Sequence, residues 1–134
     1  MSEPPGAHTL LIVDNDVGFL WWLGEIFTEA GCRAVPALNR SQALAAVKKF
    51  QLQIDLLVVN PALTGVARLA TSLERLNRDI KIVVIREGPI GLKYPGFRYD
   101  ATLTRPSGWE PISRMDWLRK LRTLLRQLET TPSR

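Results

Sequence analysis

The sequence predicts an α/β domain in which helices cover both faces of a five-stranded parallel β-sheet. Short apolar runs alternate along the chain with segments whose apolar residues recur at helical spacing. The runs are apolar at consecutive positions, as in strands that are buried on both faces. With 134 residues, of which 46% are hydrophobic and 23% charged, the chain can bury one ordinary core.

The order of the elements follows from these patterns and from the residues that interrupt them. We expect Gly31 to end the first helix and Ser41 to cap the second. Strands are predicted at 8–13, 32–38, 55–59, 81–85 and 101–104, and helices at 17–30, 41–50, 66–77 and 111–128. Residues 88–97 contain three glycines and two prolines, so we expect a mobile loop or a single turn there.

The chain reads as one domain, with a disordered lead-in at 1–7, a folded unit at 8–129 and a flexible tail at 130–134. The first residues lack the basic and apolar regions of a secretory signal, and no apolar stretch reaches the length of a membrane span. The single cysteine, Cys32, suits a reducing compartment and is expected to be a small buried hydrophobe. These features predict a cytoplasmic protein without a membrane segment.

Polar residues follow the first and third predicted strands. Asp14, Asn15 and Asp16 come directly after the first strand, and Asn60 comes after the third. In a flavodoxin-like fold, the direction in which successive strands are added to the sheet reverses between these two strands. Ligands bind outside the carboxyl ends of the strands at that point. We therefore expect the functional crevice at these four residues.

Three motifs occur at strand ends in a particular order. The first strand ends in Ile-Val-Asp-Asn (12–15), and the third reads Asp-Leu-Leu-Val-Val-Asn-Pro (55–61), soon followed by Gly65. The fifth ends in Thr104-Arg105-Pro106. Together they resemble the receiver domain of bacterial two-component response regulators over residues 8–128. The resemblance implies a flavodoxin-like, receiver-like fold and a place in phosphorelay signal transduction.

The departures from the family pattern concern the residues that carry out its chemistry. The resemblance places Asn60 where the family has its phosphoacceptor aspartate, and an amide cannot form an acyl phosphate. Asn15 replaces a carboxylate that binds magnesium. Arg86 and Thr102 stand at the two switch positions, and Arg105 replaces the family's lysine. Because the phosphoacceptor, the metal ligand and both switch positions have changed together, we predict a pseudo-receiver that has lost phosphotransfer.

A charge count suggests what replaces the metal. Asp14 and Asp16 balance Arg86 and Arg105 without a divalent ion. We expect Arg86 to form an ion pair with one of the two carboxylates and fix one conformation. Alternatively, Arg86 extends to solvent and Asp16 only caps the first helix. In both cases magnesium binding should be weak or absent, and no other cofactor or metal is expected.

Two surfaces could contact other proteins. Trp21 lies on the polar side of the first helix and Trp22 near its margin, and both are candidate interface residues. We expect a homodimer or partner contact through Trp21, unless residues of the last helix cover it. Arg119, Arg122 and Arg126 form a row on the last helix. Such a row is either solvated or faces an acidic partner, with nucleic acid as a further alternative.

The leading hypothesis is a non-enzymatic, stand-alone receiver-like protein that acts through protein–protein contacts. A small flavodoxin-like enzyme or ligand-binding module is the alternative, although the sequence contains neither a Gly-rich phosphate loop nor a Ser-His-Asp set. The net charge of +5 permits a nucleic-acid binder, but no helix-turn-helix or zinc-ligand motif supports one.

Overall fold

The computed structural model describes residues 8–88, 95–106 and 112–130, and its strands form one parallel sheet. The strands are β1 Thr9–Val13, β2 Arg33–Ala37, β3 Leu56–Val59, β4 Lys81–Arg86 and β5 Ala101–Thr104. Their order is β2-β1-β3-β4-β5, with every neighbouring pair parallel. The predicted fold class is confirmed. As expected, the direction in which successive strands are added to the sheet reverses between β1 and β3.

The helices in the described ranges are α1 Val17–Glu29, α2 Arg40–Phe50, α3 Val66–Leu76 and α4 Arg114–Thr130. None of these combines the length and the apolar character that a membrane crossing requires. The helix α4 includes Thr130, which the sequence assigned to the tail, and begins after Pro111, which lies outside the described residues. Residues 1–7 and 131–134 also lie outside them.

The cap of α2 differs from the prediction. Asn39, not Ser41, is the N-cap, because its side-chain oxygen accepts the backbone N–H of Gln42 at 2.9 Å. Ser41 lies inside the first turn instead. Both residue types favour the cap position, so sequence preference alone did not distinguish them.

The sheet separates two apolar clusters. On one face α1 and α4 cover the sheet, and the largest side chain there that is fully buried is Phe27. On the other face α2 and α3 cover it, through residues such as Leu69 and Leu73. Successive side chains along each strand point to opposite faces and so pack into the two clusters in turn. This explains why the strands are apolar at consecutive positions.

The chain between β4 and β5 contains a non-helical stretch that packs on the α3 side. Gly88 and residues 95–100 have no helical turn, as predicted, whereas residues 89–94 lie outside the described part. Phe97 is buried in the same cluster as Leu69. The guanidinium of Arg98 holds this stretch through Glu74 on α3, at 2.6 Å, and through Asp100, at 3.0 Å.

Candidate functional site

Asp14 is the centre of the crevice at the carboxyl ends of β1 and β3. Its side chain is completely buried, which is costly for a carboxylate unless donors surround it. Oδ1 accepts the backbone N–H of Asp16 at 3.1 Å and the side-chain amide of Asn60 at 3.4 Å. Oδ2 accepts Nη2 of Arg105 at 2.5 Å. Both oxygens of Asp14 are therefore occupied by donors of the protein itself.

Asn60 lies beside Asp14 and is also buried, with 7% of its surface exposed. Its backbone N–H donates to the carbonyl of Val13 at 2.9 Å, which extends the β1–β3 pairing by one residue. Its side-chain oxygen accepts the N–H of Ala62 at 2.9 Å, while its NH₂ group faces Asp14. An amide supplies both the acceptor and the donor that this position uses, whereas an ionised carboxylate could only accept.

Asp16 combines the two roles that the sequence left as alternatives. Oδ1 accepts the N–H of Phe19 at 3.2 Å and so caps α1. Oδ2 accepts Nη1 of Arg105 at 3.2 Å and so faces the crevice. Asn15, between the two aspartates, is exposed on the loop.

Arg105 bridges three carboxylates. In addition to Asp14 and Asp16, its Nε donates to Glu87, just beyond the end of β4, at 3.2 Å. Its backbone N–H donates to the carbonyl of Arg86 at 2.8 Å, which continues the β4–β5 ladder and holds the residue over the crevice. Only 14% of the Arg105 side chain is exposed. Guanidinium geometry suits this arrangement, because its donors point in several fixed directions within one plane.

The prediction that Arg86 supplies the cation for Asp14 or Asp16 is wrong in its choice of arginine. Arg86 is the last residue of β4, paired in register with Thr104, and the guanidinium that contacts both carboxylates belongs to Arg105, one residue beyond the end of β5. The side chain of Arg105, directly after β5, reaches both carboxylates from there. The predicted kind of interaction, a guanidinium paired with these two carboxylates, is present.

Two partners of Arg105 were not identified from the sequence. Glu87 is one of them, and its position directly after β4 places it at the same edge of the sheet as Arg105. Phe19 was not assigned to the site, and its ring centroid lies 4.6 Å from the guanidinium carbon of Arg105. That distance is within the range of a cation–π contact.

The crevice does not suit a magnesium ion as it stands. Magnesium needs oxygen ligands in octahedral geometry, and the oxygens of Asp14 already accept from three protein donors. The guanidinium of Arg105 occupies the space beside both aspartates where a cation would bind. Within the described ranges, no three His, Cys, Asp or Glu side chains group in a way that could hold a metal.

Thr102, which the resemblance places at the second switch position, is exposed on β5, an edge strand of the described sheet. It lines a shallow groove between β5 and α4, together with Arg119 and Lys120. The structure thus separates Thr102 from the Asp14–Arg105 cluster.

The two tryptophans of the candidate interface have different environments. Trp21 is 60% exposed and borders a groove between α1 and β2 that is also lined by Pro36 and Arg114. Trp22 is only partly accessible, because its ring packs 5.0 Å from that of Trp117 on α4. Trp22 therefore contributes to the contact between α1 and α4, and with its ring partly accessible its role in an interface stays a prediction.

The basic row on α4 is exposed. Arg119 lies 3.4 Å from Asp116, one turn earlier, and both side chains are largely exposed, so this pair contributes little stability. Arg122 and Arg126 are also exposed. The row therefore remains a candidate contact surface, and its partner stays a prediction.

Cys32 lies at the opposite end of the sheet, after α1. Burial, reinforced by the negative charge of Glu129, raises the pKa of its thiol to about 11. The thiol therefore stays protonated near neutral pH, when it is a poor nucleophile. This agrees with the expectation that Cys32 is a small buried hydrophobe.

Comparison with solved structures shows which fold this is. A CheY-like response regulator receiver domain from Methylobacillus flagellatus superposes with a TM-score of 0.69 at 17% identity, covering 92% of this chain and 99% of its own. A response regulator from Thermotoga maritima gives a TM-score of 0.68 at 14% identity, covering 93% and 99%. The chain therefore has the fold of CheY-like receiver domains.

A third similar structure is a longer protein. NtrX from Brucella abortus gives a TM-score of 0.67 at 20% identity, and the match covers 92% of this chain but 27% of NtrX. No family model and no curated protein matches the sequence. The similarity thus lies in the three-dimensional fold.

Proposed function

We propose that this chain is a receiver-like module of two-component signalling that is not phosphorylated at Asn60 and acts through protein–protein contacts. The observation that carries the proposal is the hydrogen bonding of Asn60 and Asp14. The amide at the phosphoacceptor position is buried, and both ends of it are used, by Asp14 and by Ala62.

The chemistry of phosphoryl transfer explains why this arrangement matters. A carboxylate oxygen can attack phosphorus, whereas the NH₂ of an amide has its lone pair delocalised and is a poor nucleophile. The transferred group also carries charge that a metal ion or several cations must stabilise. Here the guanidinium of Arg105 already neutralises carboxylates that a metal would need.

Without phosphorylation, the conformation of the crevice is set by the protein's own ion pairs. Arg105 connects β1, α1 and the end of β4 through Asp14, Asp16 and Glu87, and this cluster does not depend on a phosphoryl donor. We infer that the module presents one conformation to its partners and serves as a constitutive binding element.

Phosphotransfer is tested by incubating the protein with acetyl phosphate and magnesium, followed by intact mass measurement. The expected result is no mass increase for the parent chain. The Asn60→Asp variant should also gain little, because Asn15 and Arg105 still prevent metal binding. A triple variant, Asn60→Asp, Asn15→Asp and Arg105→Lys, should gain the mass of one phosphoryl group.

A phosphoryl group localised to the crevice of the parent chain would overturn the proposal. Efficient labelling of the Asn60→Asp single variant would overturn the part assigned to Arg105. For the binding role, affinity capture from the source cell should recover the same partners with and without a phosphoryl donor. Partners that depend on the donor would contradict a constitutive role.

A further inference from the structure

Three aromatic rings lie between α1 and α4, close to the crevice. Phe19 and Trp22 on α1 have ring centroids 6.2 Å apart, and Trp117 on α4 lies 6.4 Å from Phe19 and 5.0 Å from Trp22. The two contacts of Trp117 are edge-to-face, an arrangement that the quadrupoles of the rings favour. These rings lie in the contact between α1 and the first turns of α4.

Arg105 contacts this aromatic cluster while it holds the carboxylates. Its guanidinium lies over the ring of Phe19 at 4.6 Å, and the edge of the same planar group donates to Asp14 and Asp16. A guanidinium can stack through its face and donate through its edge at the same time. A continuous series of contacts therefore runs from Asp14 through Arg105 and Phe19 to Trp117.

The far end of this series reaches the surface of the domain. Arg114, the first residue of α4, donates to Glu29 at 3.0 Å and to Glu25 at 3.4 Å, both on α1. Arg114 and Glu25 also line the groove that Trp21 borders. A change in how α4 begins would therefore alter the shape and charge of that groove.

We propose that Arg105 couples the carboxylate crevice to the packing of α4 on α1, with Phe19 as the positioning residue that transmits the coupling. The inference goes beyond the proposed function, because it identifies the α1–α4 face as the surface whose geometry the crevice controls. When the ion pairs of Arg105 are intact, the guanidinium fixes the Phe19 ring, and the ring fixes Trp117. When they are broken, Phe19 loses its charged neighbour and α4 shifts on α1.

Near-UV circular dichroism of the tryptophans tests the coupling directly. The contribution of the Trp22–Trp117 pair is identified as the part of the signal that Trp22→Phe removes. We expect Arg105→Met to reduce this contribution by at least half, while far-UV dichroism stays unchanged. The matched control is Arg98→Met, which removes an arginine with two ion pairs on the opposite side of the sheet and should leave the contribution intact.

A second variant changes the carboxylate that Arg105 contacts and leaves Arg105 itself in place. Asp14→Asn weakens the hold on Arg105 without touching any ring, so it should reproduce the spectral change of Arg105→Met. Hydrogen exchange should then be faster in the first two turns of α4 and unchanged in α3. If Arg105→Met lost its fold, Arg105→Lys would replace it, since lysine keeps the charge but lacks the planar face.

The outcomes separate the two proposals. An unchanged tryptophan signal in Arg105→Met and Asp14→Asn, or an equal change in Arg98→Met, would overturn the coupling. These spectral results are independent of phosphotransfer. Phosphorylation of the parent chain would overturn only the proposed function.

Discussion

Nη2 of Arg105 lies 2.5 Å from Oδ2 of Asp14, and the carboxylate that it contacts is completely buried. A buried ion pair of this kind adds little net stability compared with an apolar pair, but removal of one partner leaves an uncompensated charge. The pair therefore makes the two residues depend on each other. It also places a fixed positive charge of the protein beside the carboxylate.

Asn60→Asp should destabilise the protein in the absence of divalent ions. The new carboxylate would lie about 3.4 Å from Oδ1 of Asp14, where the amide now donates. Two charges at that distance repel by roughly 5 kcal/mol at an effective dielectric constant of about 20, before the structure relaxes. We expect a net loss of about 1–3 kcal/mol in the free energy of unfolding, measured by urea denaturation at neutral pH.

Asn39→Asp is the matched control for this charge change. Asn39 caps α2 with its side-chain oxygen, and a carboxylate is equally suited to a helix N-terminus. Its stability should stay within about 0.5 kcal/mol of the parent. An equal loss in both variants would show that added negative charge, and not the proximity of Asp14, causes the effect.

Phe97→Ala should cost about 3–4 kcal/mol, because Phe97 fills the α3 side of the core from a stretch that has no helical turn. Tyr99→Ala, two residues later and partly exposed, should cost about 1 kcal/mol or less. Thermal or urea unfolding would compare the two variants. Similar small losses for both would mean that residues 95–100 contribute little to the core.

Gly65→Ala should destabilise the protein by about 1–3 kcal/mol. Gly65 precedes α3 with φ of +79°, and an added Cβ would lie 2.7 Å from Cδ of Arg40. The double variant with Arg40→Ala should recover only the part of the loss caused by the clash. Gly18→Ala is the control, since its Cβ would meet nothing closer than 3.7 Å and alanine favours a helix.

The Cys32 thiol should make the protein lose stability at alkaline pH. Its pKa in the folded state, about 11, is above the value of about 8.5 in an unfolded chain. The resulting stabilisation is complete below about pH 8.5 and disappears as the pH rises through 11.

Cys32→Ala isolates this contribution, because every other titrating group stays in place. The difference in unfolding free energy between parent and variant, followed from about pH 8 to pH 11, should shift in favour of the variant. A difference that does not change with pH would show that the thiol titrates normally.

The fold could be predicted because its signals are local. The consecutive apolar residues of β1 and β3, the helical spacing of α1 and the glycines near β4 each determine one element, and five strands alternating with helices leave few topologies. Helix boundaries were less certain, as at Asn39 and Ser41, because the two residues have similar preferences for the cap position.

The sequence predicted which residues lie in the crevice, but not which arginine forms ion pairs with them. Strand ends placed Asp14, Asp16 and Asn60 together, because carboxyl ends of parallel strands meet at one edge. Arg86 and Arg105 both lie at strand ends on this edge, and the direction of each side chain decides which one contacts the carboxylates. The sequence pattern does not specify that direction. The same limit applies to Trp22, whose burial depends on the position of Trp117.

The melting temperature of Arg105→Met with and without magnesium tests most directly whether Arg105 occupies the place of a metal ion. The parent should melt at the same temperature in both conditions. The variant should be less stable by about 3–5 kcal/mol without magnesium, since Asp14 is left buried without its cation. Magnesium should restore part of that loss by neutralising the released carboxylates of Asp14 and Asp16. Arg86→Met, at the same edge of the sheet, should show no gain from magnesium. A parent that magnesium stabilises, or an Arg105→Met variant that melts like the parent in both conditions, would contradict the account.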